Sequence, residues 1–338
     1  MTRSPLPVGS RSSMRRRLVF RCVITLALLG SAQLAGAATP KSNVTAVGRI
    51  GIITILQGGA TVIRGLSQFE AAEGIRLLAG DLIRTQPNSL LRVEYPDECS
   101  LEAGPDTQLQ LSHPAEKKRG NRPALYLMQG WLKLGCKASS GADASLASKD
   151  LDVVGASGVI VIRASGESRA VFAEQGTARV IKRRTGEAAT ITLNPGDFLV
   201  DEPGNAADVQ ARPTAAFMEA LPRAYRDTLP FRYSMFVSRA VEPQNQRTFA
   251  YADVEPWLNA EASVRRQFVG LWIRKVNDPA FRGPLDRDLA MHPEWDRILH
   301  PEKYEVEEPA RPPSASVKPD AASQPRPESP AESVPKSN

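Results

Sequence analysis

Histidine is scarce in this chain. His113, His292 and His300 are the only three in 338 residues, and none stands at metal-ligand spacing from a Cys, Asp or Glu, which argues against a zinc centre or a histidine-based catalytic site. A glycine loop with its lysine for cradling phosphate is missing, and so is a dinucleotide fingerprint. An excess of one charge is missing too, once the basic residues are placed. Six of the 43 precede Ala38 with no acid among them, leaving 37 against 37 acidic residues. The remaining chain is formally neutral, so nucleic-acid binding loses its main electrostatic argument. These absences lead us to expect no enzyme chemistry, no cofactor, no metal and no nucleic-acid partner.

What is present begins with an export signature. Arg3 to Arg21 is cationic, Cys22 to Leu29 is apolar, and small residues end in Ala35-Gly36-Ala37, the three parts of a secretory signal. The apolar run is well short of the about 20 residues that cross a bilayer. Cleavage after Ala37 is expected, giving a signal peptide at 1–37, a linker at 38–46, a periplasmic product and no stable membrane span. Cys22 begins the apolar run instead of ending it, the wrong place for lipidation. Removing it leaves Cys99 and Cys136, an even count in an oxidising compartment. Cys99 is in phase with Leu101 and Cys136 with Leu132 and Leu134, so both sulfurs face the apolar side of their strands. A disulfide fits this pattern, and so do two buried free thiols.

From 47 to 210 the pattern is mainly β: short β-branched runs separated by Gly or Pro-Asn turns. Thr107 to Leu111 alternates strictly, the mark of a half-buried strand. Ala124 to Leu134 reads as a strand pair or a bent strand pivoting at Gly130, and Gly135 to Lys149 as a small-residue loop. Gln57 to Arg64 resembles Gln175 to Lys182, each followed some twenty residues later by a Gly-Asp turn, Gly80-Asp81 and Gly196-Asp197, which predicts two related β layers. Residues 211–304 predict a small helical appendage. Thr214 to Thr228 is kinked or ended by Pro222; Pro256 to Val276 has Trp257, Val264, Phe268, Leu271 and Trp272 on one face and is closed by Asp278-Pro279. Residues 305–338 are rich in Pro, Ser, Ala, Glu and Lys, a composition that predicts a disordered tail.

Three further groups were weighed for chemistry. Ser157 in Gly155-Ala156-Ser157-Gly158 lacks the second glycine of a nucleophile elbow and fits a turn between strands. Asp150 with Asp152, and Asp97 with Glu98, are paired carboxylates of the kind a glycosidase needs, but a solvated strand face and a turn explain them. Arg163, Arg179, Lys182, Arg183 and Arg184 form a basic cluster that fits a solvated hairpin.

The stretch from Gly48 to Leu111 resembles the FecR domain, a periplasmic β module. The resemblance rests on Gly48 to Ile55, Gly59 to Arg64, Ala72-Glu73-Gly74, Leu77 to Thr85, Ser89 to Tyr95 and Leu101 to Leu111. It implies a FecR-like β-rich domain with no catalytic set. In well-known members this domain is the periplasmic half of a sigma-factor regulator that senses a loaded outer-membrane transporter. Here about 20 residues precede the signal where those regulators carry a cytoplasmic helical domain, and Asp97-Glu98-Cys99-Ser100 replaces the family's Asp-Gly-Ser turn. The expectation is therefore a non-enzymatic periplasmic binding or scaffolding protein that meets an envelope or periplasmic protein, or a cell-wall glycan. The alternatives are a membrane-held regulator of sigma-factor and iron-transport signalling, and a carbohydrate-active enzyme.

Overall fold

The computed structural model describes residues 49–111, 125–137, 144–183, 189–205, 208–239 and 241–304. The expected signal peptide and linker, the polar turn from His113 to Asn121 and the tail from 305 onward lie outside the described residues.

Period-two alternation sets which side of each strand is buried. The first strands are β1 (Arg49–Gln57), β2 (Ala60–Arg64), β3 (Ser67–Glu70), β4 (Arg76–Leu78), β5 (Leu82–Thr85), β6 (Leu90–Glu94), β7 (Cys99–Ala103) and β8 (Gln108–Leu111). Then come β9 (Leu125–Cys136), β10 (Ala144–Ser148), β11 (Leu151–Ser165), β12 (Ser168–Lys182), β13 (Ala189–Leu193), β14 (Phe198–Asp201), β15 (Asp208–Gln210) and, much later, β16 (Gln244–Thr248).

All of them join one branched, mainly antiparallel sheet. One run of neighbours is β4, β1, β6, β7, β9, β11, β12, β14 and β15. The other is β16, β3, β2, β5, β8, β9, β10, β11, β12 and β13. β9, β11 and β12 belong to both. β9 pairs with β8 through residues up to Gln129 and with β11 from Gly130 onward, so it is the bent strand pivoting at Gly130.

Two expectations need correction. The strands are not all short: β9, β11 and β12 have 12, 15 and 15 residues and thread through both runs. Gly135 to Lys149 is not simply a loop, because β9 extends to Cys136 and β10 lies parallel to β9.

One core lies between the runs. Ile53, Leu91, Leu101, Leu134, Ile162 and Val171 come from the first, and Val62, Ile83, Leu109, Leu127, Val153 and Val180 from the second. Burying each Leu, Ile or Val side chain contributes about 1.5–3 kcal/mol. The outer faces carry two further clusters. Leu90, Trp131, Val161, Ala170 and Phe198 of the first run pack with Phe217, Leu221 and Tyr225, and Ile63, Leu82, Tyr126 and Ala147 of the second pack with the C-terminal helices.

The internal repeat is visible in the hydrogen bonds. Ala60 pairs with Ala71 as Ala178 pairs with Leu193. Gly74 N–H then donates to Ile53 O while Ile53 N–H donates to Ile75 O, and Gly196 N–H donates to Ala173 O while Ala173 N–H donates to Asp197 O. β4 pairs with β1 as β14 pairs with the first part of β12. The unit β1 to β4 therefore recurs as β12 to β14, with Gly58 and Gly176 at equivalent bends, φ 73° and 98°. The counterpart of the Gly196-Asp197 turn in chain order is Gly74-Ile75, not Gly80-Asp81 as the spacing suggested. Gly80-Asp81 nevertheless makes the same turn, since Asp81 N–H donates to Leu78 O and the Asp81 carboxylate accepts Leu78 N–H, as Asp197 does with Asn194.

Beyond β15 the helices are α1 (Ala215–Ala220), α2 (Tyr233–Phe236), α3 (Tyr251–Leu258), α4 (Ala262–Trp272), α5 (Pro279–Arg287) and α6 (Asp296–Leu299). Thr214 caps α1, and Pro222 separates it from a 3-10 turn at Arg223–Arg226. The single helix predicted from Pro256 to Val276 is two, interrupted at Asn259 to Glu261. Pro256 lies inside α3, where it cannot donate to Ala252 O, and the helix ends two residues later at Leu258. Asp278-Pro279 closes the 3-10 turn Ile273–Asn277 that continues α4, as expected, and also opens α5: Asp278 N–H donates to Lys275 O, its carboxylate accepts the Ala280 N–H, and Pro279 occupies the first turn, where a missing N–H costs nothing. Trp257, Val264, Phe268 and Trp272 are buried, but Leu271 is 52% exposed. β16 is an unpredicted strand within this region. Among the described residues, no helix is long and apolar enough to cross a membrane.

Candidate binding groove

The outer face of the second run is apolar where the helices cover it and polar beyond them. Register places Glu70 beside Thr61, Thr61 beside Arg84, and Arg84 beside Gln108, one polar row across β3, β2, β5 and β8. At the β3 end of this row lies a groove of about 680 Å³. The bend between β1 and β2 forms one side, with Gly58 and Gly59 keeping the wall free of side chains. Gln68 lies within it, Arg84 and Gln86 stand on a second side, and Asn245 and Arg247 on a third.

β16 forms that third side. Its five residues are all exposed, and its pairing with β3 slips between Gln244 and Arg247. The slip is a bulge centred on Asn245, whose φ of 54° is rare for a residue other than glycine. Asn245 Nδ2 donates to Glu70 at 3.2 Å.

Behind the groove Asp253 of α3 ties helix to sheet. It accepts from Gln68 Nε2 at 2.8 Å, from Arg84 at 3.4 Å and from the Ala250 N–H at 2.9 Å. Two groups are left over: Gln68 is 1% exposed, yet its Oε1 has no partner. Arg247 makes no side-chain hydrogen bond or ion pair among the described residues.

The residues weighed from sequence do not converge. Asp150 lies in a turn at φ 62°, before β11 begins, so it does not share a strand face with Asp152. Asp152 faces Arg183 at 3.4 Å. Glu98 occupies a turn at φ 61° and pairs with Lys137. Ser157 is not in a turn between strands but inside β11, where it bonds Thr177 across to β12. His292 is buried between Tyr251 Oη and Leu258 O, and His300 meets Asp286 and Glu302. Burial and nearby Asp288 push the Tyr251 hydroxyl up to about 12, so it remains a neutral hydrogen-bond partner. His113 lies outside the described residues.

Nor do the basic residues form one solvated hairpin. Lys182 is buried against Asp201 at 2.8 Å, Arg163 stacks on Trp131 with 4.9 Å to the ring centroid, and Arg183 reaches Asp152 and Glu261. Arg179 is exposed, and Arg184 lies outside the described residues.

A second polar cluster lies on the outer face of the first run. Arg92 is held by Glu94 at 2.8 Å and Glu102 at 2.6 Å, and the Arg232 N–H donates to Glu94 at 2.7 Å. Tyr225 Oη donates towards Glu102 O and Trp131 O at 2.8 and 2.9 Å. Burial raises the Glu102 carboxyl above its ordinary range, opposed by Arg92 and Lys133. These contacts fasten the segment after α1 to the sheet, a structural use of charge, although Glu102 Oε2 is buried without a hydrogen-bond partner among the described residues. Cys99 and Cys136 stand opposite each other across β7 and β9, with Cα atoms 4.2 Å apart, joined as a disulfide.

No family model matches this chain, and no curated protein matches it. Among solved structures it is similar to two crystal structures of "a putative anti-sigma factor from Parabacteroides distasonis ATCC 8503", at 2.50 and 1.65 Å resolution. Identity is 16% and 15%, and the TM-score is 0.32 for both. The match covers 39% of this chain and 59% of those chains. A likeness of that extent fixes neither fold nor role.

Gly59, Ala60, Thr61 and Arg84 of the groove fall in the stretches that carry the FecR resemblance, but nothing in those stretches marks a binding site. The one hint was Gln244 to Thr248, an all-polar run between Pro243 and buried Phe249. Such a run suits an edge strand, but nothing in it names a partner strand.

Proposed function

We propose that the chain is an exported, FecR-like, non-enzymatic binding protein that works in the periplasm, meeting a protein or envelope partner through the face formed by β16 and the groove beside it. The observation that carries this reading is the groove itself. It joins an exposed edge strand, a bulge with Asn245 at positive φ, and the unpartnered groups of Gln68 and Arg247. Elsewhere the buried charges considered above sit in ion pairs, Arg92 with Glu94 and Glu102 and Lys182 with Asp201, whereas Arg247 has none among the described residues.

Two measurements test the proposal. N-terminal sequencing of the mature protein is expected to begin near Ala38; a chain that retains its N-terminus in the membrane would favour the sigma-factor regulator instead. A photo-crosslinking residue at Gln246 is expected to capture an envelope component that the same residue at Thr192, on the exposed strand β13, does not. Equal capture at both positions, or none at Gln246, removes the groove face as the binding site.

A further inference from the structure

We infer that the groove binds a carboxylated glycan, a polyhydroxylated sugar chain whose acid group pairs with Arg247. The inference rests on the binding face proposed above and names its ligand. A volume of about 680 Å³ falls within the about 300–1,000 Å³ of small-ligand sites. Its lining supplies donors and acceptors together. Arg247, Gln86 and Asn245 donate, Glu70 accepts, and Gln68 Oε1 is a buried acceptor with no partner among the described residues. A buried carbonyl oxygen without a donor is unfavourable, and a ligand hydroxyl at the groove supplies that donor.

Polarity argues against an apolar ligand. The one aromatic residue of the lining, Phe69, is 3% exposed and belongs to the core. Charge argues for an acid. Arg84 is engaged by Asp253, so Arg247 is the groove cation without an ion-pair partner among the described residues; Glu70, held by the neutral Asn245 amide, keeps its charge and confines a ligand's acid group to the Arg247 side. Geometry argues against an extended peptide adding to β16, since a bulge breaks the even spacing of backbone groups that strand addition requires. A glycan reads side-chain amides and guanidinium groups and needs no such ladder.

The test is calorimetric titration of the full-length mature protein with tetragalacturonate, chitotetraose and tetraglutamate. Tetragalacturonate is expected to bind, with chitotetraose and tetraglutamate at least tenfold weaker. Arg247→Ala is expected to weaken tetragalacturonate binding at least tenfold with an unchanged melting temperature, because Arg247 is exposed and unpaired. Gln86→Trp, on the opposite wall, is expected to block the groove independently. Absence of tetragalacturonate binding, equal binding of either comparison ligand, or full binding by both variants overturns the inference. Capture from Gln246 persisting after such a failure leaves the binding face standing and removes only the glycan. Cosedimentation with purified cell-wall sacculi, set against retention on an immobilised soluble acidic polysaccharide, then tells the source; retention by either supports the inference, and retention by neither overturns it.

Discussion

The two copies of the repeated unit share a backbone plan and differ in what lies against them. In the first, β3 gains β16 as a neighbour and Gly74 sits under Val241; in the second, β14 gains β15 and Gly196 faces open space, with Ala211 O 3.8 Å from where a Cβ would be. The second copy instead presses its bend against the chain, where Gly176 meets Gly158 across the β11–β12 ladder. Among the described residues the groove of about 680 Å³ lies beside the first, and a smaller one of about 250 Å³, lined by β12, β14 and α1, lies beside the second. The repeat thus supplies a scaffold, and the late segment carrying β16 makes one copy of it a candidate site.

Substituting the equivalent bend glycines breaks this comparison most strongly. A Cβ at Gly176 collides with the Ser157 backbone oxygen, whereas at Gly58 it meets the movable Ser89 hydroxyl. Combining a positive-φ cost of about 1–2 kcal/mol with overpacking of about 1–3 kcal/mol, we expect Gly176→Ala to lose about 3–5 kcal/mol in urea unfolding. Gly58→Ala is expected to lose about half of that.

The two Gly-Asp turns come next. Asp81 is 1% exposed and its carboxylate is bonded to Arg64 at 2.6 Å, while Asp197 is partly exposed and its carboxylate bonds Asn194 of its own turn. Asp81→Asn is expected to cost about 2–3 kcal/mol and Asp197→Asn under about 1 kcal/mol. Burial raises the Asp81 carboxyl above its ordinary value of 3.8, against the pull of Arg64. A carboxyl that holds its proton more tightly when folded contributes more stability as pH falls from the folded value towards the unfolded one, and less as pH rises. The deficit of Asp81→Asn should therefore widen between pH 7 and pH 4; a deficit that narrows would reverse the assignment.

The smallest contrast separates the turn glycines. Gly74→Ala and Gly196→Ala share a positive-φ cost, but only the first strikes Val241, 2.6 Å from the added Cβ. We expect Gly74→Ala to be the more destabilising by about 1 kcal/mol, and Val241→Ala to remove that difference. If the two remain unequal after Val241→Ala, the clash is not the cause.

Alternation made part of this fold legible. Leu109 and Leu111 face the core as their spacing requires, but Gln108 and Gln110 are buried as well, because α4 covers that face and Gln267 bonds Gln110 at 2.9 Å. A half-buried strand and a fully buried one with a paired amide look alike in sequence. The helical face from Trp257 to Trp272 was readable because aromatic side chains recur along it, yet Leu271 falls outside the buried arc that the local break defines. β10 and β16 were hidden for another reason. Ala144 to Ser148 is small and Gln244 to Thr248 polar, so neither shows an apolar period, and each forms because a neighbour offers an open edge. The groove inherits that obscurity, since its walls come from positions nearly 190 residues apart.

The Cys99–Cys136 bond, across a sequence separation of 37, turns that stretch of chain into a covalent ring, and the connection from β8 to β9 lies inside it. A protease that cuts this connection severs the polypeptide without separating its parts. The clipped protein should run as one species without reductant and as two with it. It should also keep both repeat copies assembled, because β7 and β9 remain joined on either side of the cut.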